Sequence, residues 1–438
     1  MTMTPPPIAR VRRTYHQPEI DDAPAAVARA VASSRLAERA PVGGEIAITV
    51  GSRGIAGIPE IARATVDAVR ALGFQPFVVA AMGSHGGATA DSQRALLAEL
   101  GVTERSVGCP IRSDMETLVL GTNSLGLPIC FDRNAFEADG IVLLNRIKPH
   151  TSFTGDYESG LLKMLAIGLG KREGAAQVHK LGLDGLRRIL PEVGAFLLKN
   201  TPVALGLAIL ENASEHTAKI VAVEPEELLA VEPELLAESR ELMARLPFDQ
   251  IDALIVGELG KNYSGTGLDP NVIGRQRVET MPDPKSPSIT RLAVLDVSPE
   301  SRGNALGVGL ADLTTDRLVR AIDPRPIRVN CFTSNLLARA RVPLAMPNDR
   351  DLLAACIDTC WRIDPSEVRM VVIPNTLELT TLWVTRPLTG EVAIHPELTF
   401  ESDFLPFPFD AAGNIEQERL FPESLRGRRG VGVTAMEP

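Results

Sequence analysis

Residues 45–54 read EIAITVGSRG and residues 77–87 read FVVAAMGSHGG. Each begins as a mainly apolar run and ends in a polar, Gly-rich turn, the pattern of a buried strand leading into a loop. Residues 58–72 and 91–100 carry apolar side chains at helical spacing, and further short apolar runs follow at 117–120 and 141–144. Strand and helix alternating in this way predicts an α/β fold with mostly parallel sheets. In such sheets ligands gather at loops beyond the carboxyl ends of the strands. Those loops deliver Ser52 and Arg53 after the first strand, His85 after the second, and His150, in NRIKPH, after the fourth.

Working outward, residues 1–44 read as an arm with one Ala-rich helix over 25–40. Residues 184–198 read as a helix, 202–210 as a buried strand and 224–246 as a long charged helix. A second αβ run follows, with strands at 251–256, 290–297 and 368–373 and helices at 312–322 and 349–362. This places a boundary at 247, giving an N-terminal cofactor-binding α/β domain over 1–247 and a C-terminal α/β domain over 248–438, with the active-site cleft expected between them. The tail from about Glu401 has no clear period, which leaves a return onto the first domain open.

The chain has 438 residues, 45% of them hydrophobic, so it can bury a sizeable core. Its formal net charge of −10 gives no chain-wide basic field of the kind nucleic-acid binders use, and nucleic acid is not an expected partner. Five scattered Cys form no CxxC pair, which argues against a thiolate metal site or a disulfide framework. Arg10, Arg12 and Arg13 are followed by no apolar core, and no apolar run approaches a membrane span. A cytoplasmic protein without membrane partners is the expectation.

Gly168-Leu169-Gly170-Lys171 suggests a phosphate loop, but Leu165 stands where its first glycine belongs and Arg172 replaces the Ser or Thr. The glycines at 168, 170 and 174 are one residue too long for a dinucleotide fingerprint. The informative stretch is 145–180, NRIKPHTSFTGDYESGLLKMLAIGLGKREGAAQVHK, which is polar at first and then apolar around Lys163. An amine in that setting is partly desolvated, which favours its neutral, nucleophilic form. On one continuous helix Lys163 and His179 would lie about 24 Å apart. A break at Gly168 and Gly170 would fold the second half back and bring His179 beside Lys163.

Singly, each residue has an ordinary alternative: Lys163 as a snorkelling lysine, His85 as a turn residue, Arg53 as a carbonyl binder. In order, however, Arg53, Gly-Ser-His85-Gly, Pro149-His150, Lys163 and His179 resemble the nickel-dependent lactate racemases and their homologues, which carry a nickel-pincer nucleotide derived from nicotinic acid. The motifs that carry the resemblance lie within residues 50–180. It implies two α/β domains, Lys163 as the cofactor tether, His179 as a nickel ligand, Ser52 and Arg53 as cofactor contacts, and His85 and His150 as paired acid/base residues. Arg53 and Lys261, the latter in the GKNYSGTG loop of the second domain, would hold a substrate carboxylate.

The function so implied is a racemase or epimerase that inverts C2 of a 2-hydroxy acid by hydride transfer to and from the cofactor, with enzymes of cofactor biosynthesis as partners. Val50 replaces an expected acidic residue three positions before Arg53, and Asp156-Tyr157-Glu158 lengthens the loop after His150. With Asn262, Tyr263 and Ser264, these departures point to a substrate more polar than lactate. Two alternatives keep the fold: another hydroxy-acid redox or elimination reaction with the same cofactor, and a non-catalytic cofactor- or metal-binding protein.

Overall fold

The computed structural model describes residues 4–52, 54–278 and 282–424. It is an α/β protein with mostly parallel sheets, in two compact units. One unit is Gln17–Met243; the other joins the N-terminal arm to the chain from Ala244 on.

The sheet of the Gln17–Met243 unit runs, edge to edge among the described residues, Ile111–Arg112, Gln75–Ala80, Glu45–Val50, Gly140–Arg146, Val203–Glu211 and Thr217–Val223. Every neighbouring pair is parallel except the last. The chain moves outward from Glu45–Val50 in one direction, then returns to its other side with Gly140–Arg146. The loops after these two strands therefore flank a topological switch point, where open α/β sheets bind ligands. Strands 45–50, 75–80 and 140–144 are buried on both faces, as their continuous apolar runs require. One side packs Val27, Val31, Ile61, Val66 and Val69, and the other packs Leu161, Leu165, Leu190 and Leu197.

Two expectations need correction. The run at 117–120 is not in this sheet; Thr117–Thr122 pairs antiparallel with Pro128–Asp132 as a separate hairpin. The five residues between them are too few for the crossover of a parallel pair, and Asn123 closes the turn by accepting from Gly126 N at 2.9 Å. The arm also lies elsewhere than expected. Ile8–Arg13 is a strand of the second unit's sheet, between Thr381–Thr385 and Leu398–Phe400 and antiparallel to both. Its arginines are held there by Glu401, at 3.0 Å from both Arg10 and Arg12, and by Glu397 at 2.8 Å from Arg13. The described tail stays in this unit as well: Phe407, Ile415, Leu420 and Phe421 share a core with Ile8, Ile255 and Val372.

The rest of the second sheet is parallel, in the order Leu344–Met346, Leu313–Thr315, Ser288–Val297, Gln250–Leu259 and Met370–Ile373. It too has a switch point beside Gln250–Leu259, and the Lys261 loop follows that strand. Among the described residues no helix is long and apolar enough to cross a membrane.

A fully buried ion pair joins three pieces of the first unit. Lys171 Nζ lies 2.7 Å from Asp132 Oδ2 and donates to Ala80 O, also at 2.7 Å, with both side chains wholly excluded from solvent. Removing one member of such a pair leaves an uncompensated buried charge, at a cost of roughly 3–5 kcal/mol, whereas replacing both with apolar residues is near neutral. Lys171→Met should therefore lower the urea midpoint of this unit strongly, and adding Asp132→Leu should recover most of the loss. An unchanged midpoint in the single variant would show that the pair carries no such weight.

Candidate active site at the switch point of the first sheet

Residues 160–170 lie across the carboxyl ends of three neighbouring strands. Asn145 Nδ2, near the end of Gly140–Arg146, donates to Gly160 O at 2.8 Å. Gly51, after Glu45–Val50, is so close that a Cβ there would sit 3.1 Å from Met164 Cε. Gly83, in the turn after Gln75–Ala80, donates its N–H to Gly168 O at 3.0 Å and has a left-handed φ of 58°.

The segment breaks where the glycines suggest, although not for the conformational reason they suggest. Leu161–Lys163 continues into a wider helical turn, Met164–Gly168, and a new helix runs over Lys171–Lys180. The left-handed residue at the break is Lys171, with φ 51°, held by its buried ion pair. Gly168 and Gly170 are needed for close approach. A Cβ at Gly168 would stand 2.7 Å from Ala81 O, and one at Gly170 would strike Ala166 O. Fold-back places Lys163 within electrostatic reach of His179, whose pKa is pushed down to about 4, first by burial and then by the Lys163 charge. His179 is thus a neutral imidazole at physiological pH, the form that binds a metal. Lys171, by contrast, is turned inward to Asp132 and Ala80, as rejection of the phosphate-loop reading requires.

His85 Nδ1 and Ser52 Oγ form a short hydrogen bond, joining the loops after adjacent strands. The His85 turn is braced by Gln93, a buried residue that nothing in the sequence singles out; its Nε2 donates to Gly83 O at 3.0 Å and to His85 O at 3.1 Å. On the other side of Glu45–Val50, His150 packs on Phe153 with ring centroids 4.6 Å apart, and its Nδ1 accepts from Ser152 N at 3.0 Å. When neutral, His150 therefore carries its proton on Nε2.

Glu158 does not serve the substrate role expected of it. It is 2% exposed, and its carboxylate accepts from His150 N at 2.5 Å, Gly155 N at 2.9 Å and Arg240 Nη2 at 2.6 Å. It holds the loop together from within. In the second unit Lys261 Nζ donates to Gly265 O at 2.6 Å, Ser298 Oγ donates to Asn262 Oδ1 at 2.6 Å and Tyr263 OH to Glu258 at 3.0 Å. These polar groups bind one another, which removes much of the argument for a substrate more polar than lactate. Arg53 lies outside the described residues.

Because His179 titrates near 4 when folded and near 6.5 when unfolded, the unfolded chain alone binds its proton between those values, so this residue's contribution to stability falls as pH is lowered through that window. Lys163→Met should raise the His179 titration point, followed by imidazole NMR, while burial keeps it below 6.5. A midpoint unmoved by the substitution would mean that the two side chains do not face each other.

No curated protein matches the sequence. Among solved structures, the lactate racemase apoprotein from Thermoanaerobacterium thermosaccharolyticum is 14% identical, with a TM-score of 0.45 and 82% of each chain covered. Residues 8–187, which hold the Ser52, His85, His150, Lys163 and His179 positions, match the family model of the lactate racemase N-terminal domain. Over this part of its length the chain is matched to the lactate racemase family, the same family that its motifs resemble.

Proposed function

We propose that this protein is a racemase or epimerase inverting C2 of a 2-hydroxy acid. The observation that carries the reading is the placement of two histidines, His85 and His150, after the strands on either side of Glu45–Val50, with the Lys163 segment lying across the same strand ends. Two strand spacings separate those strands, about 10 Å, room for a small acid between two bases.

The residues present fit a nickel-pincer nucleotide. Among the described residues no three His, Cys, Asp or Glu side chains gather as a metal cage. A metal here would therefore draw most of its ligands from a bound organic group, with His179 adding one neutral imidazole. Lys163, beside it, offers an amine to anchor that group. When bound, the cofactor supplies a hydride acceptor and donor, which spares the enzyme from forming a carbanion next to a carboxylate.

The chain's own residues supply the proton chemistry. One histidine takes the substrate hydroxyl proton as C2 becomes planar, and the other returns a proton when C2 is reduced on its opposite face. Imidazoles suit this work because their ordinary pKa lies near neutrality. Ser52 fixes the ring of His85, and Glu158 and Ser152 fix the backbone and ring of His150. Arg53 supplies the cation for the substrate carboxylate. Local cations are needed for this, since the chain as a whole carries −10.

Protein co-expressed with cofactor-making enzymes should carry nickel and invert a 2-hydroxy acid in deuterated water with its C2 hydrogen largely retained. His85→Ala and His150→Ala should each lower turnover by roughly 10²–10⁴-fold with nickel still bound. His179→Ala should lose nickel. Background nickel in wild-type protein would refute the reading; loaded protein inert towards a panel of hydroxy acids would point to cofactor binding without catalysis.

A further inference from the structure

Helix Leu228–Leu242 touches both functional segments of the first unit, and none of its residues stands out in the sequence. Its contacts come from one face. Residues 229, 232 and 240 lie at helical offsets of three and eleven, which return to nearly the same direction.

At the first position the helix contains its own opening. Pro233 has no N–H, so the carbonyl four residues earlier, that of Leu229, lacks its helical partner. Tyr157 OH donates to this carbonyl at 2.6 Å, tying the loop after His150 to the helix. At the second position Glu232, 1% exposed, accepts from Leu162 N at 2.9 Å. Leu162 lies next to Lys163 in the helical stretch Leu161–Lys163. The approach is tight enough that a Cβ on Gly160 would run into the Glu232 carboxyl. At the third position Arg240 binds Glu158 at 2.6 Å and Gly155 O at 3.1 Å, and Glu158 in turn holds the backbone N–H of His150.

We infer that this helix is the common mount of the site, with Glu232 and Glu158 as positioning residues: Glu232 sets Lys163 through the start of its helix, and Glu158, gripped by Arg240, sets His150 through its loop. The inference rests on the proposed function for the meaning of Lys163 and His150, while the contacts stand without it. Burial agrees with the geometry, since it pushes the Glu232 carboxyl up to about 7 even though the Leu162 N–H donates to it.

The test uses the full chain without cofactor. Lys163 acylation and His150 carbethoxylation are followed by peptide mass spectrometry, with Lys219 and His395 as internal references, in variants whose melting shows them folded. Glu232→Ala should raise the rate at Lys163 several-fold and leave His150 unchanged, and Glu158→Ala should do the reverse. Glu232→Gln and Glu158→Gln, which keep one acceptor oxygen, should fall back towards wild type; where an Ala variant does not fold, the Gln variant carries the test with a smaller change at the same residue. Wild-type rates at both residues, or equal rises at both in either variant, overturn the mount. Nickel loading and turnover play no part in this readout, so its failure leaves the proposed function to its own experiment.

Discussion

The buried contact between Lys171 and Asp132 is the constraint on which the first unit's architecture turns. A lysine wholly out of water is costly unless its charge is met, and here it is met by a carboxylate from the hairpin and a carbonyl from the end of a central strand. The same lysine sits in the left-handed conformation that separates two helical segments. One side chain thereby fixes the hairpin to the sheet, stops the helix and sets the angle of the return. The nearness of His179 to Lys163 follows from that return, and the unusual acidity of the His179 imidazolium follows first from burial and then from that nearness.

The longer parallel strands are legible because each is largely an apolar run, whereas the short ones, Ile111–Arg112, Leu313–Thr315 and Leu344–Met346, are too brief to show a period. Fold-back between Lys163 and His179 was legible for a related reason, since two glycines in an otherwise helical stretch signal a break. What a linear reading could not supply was the identity of the residue that makes the turn. Gly168 and Gly170 leave room for a passing backbone, whereas Lys171 takes the strained dihedral because a distant aspartate holds it.

Carboxylates were the least legible class. The stretch 224–246 carries seven glutamates, and only packing against residues 160–162 distinguishes Glu232 from its neighbours. Glu158 reads in the sequence as a group free to face a substrate, because a polar residue in a loop gives no sign of whether it faces solvent or its own backbone. Thr217–Val223 gives little strand signal for a comparable reason: it is an edge strand, only partly buried, and its side chains are not uniformly apolar.

The arm Ile8–Arg13 makes the second unit discontinuous, with Gln17–Met243 inserted between its first strand and the rest. During synthesis the inserted unit can fold as soon as it is made, but the arm has no partner strand until Thr381–Thr385 and Leu398–Phe400 appear nearly four hundred residues later. Six residues with three arginines must stay unpaired for that whole interval. The basic character of the arm thus has a second use beyond its ion pairs with Glu397 and Glu401: like charges along a waiting strand discourage it from pairing with another copy of itself.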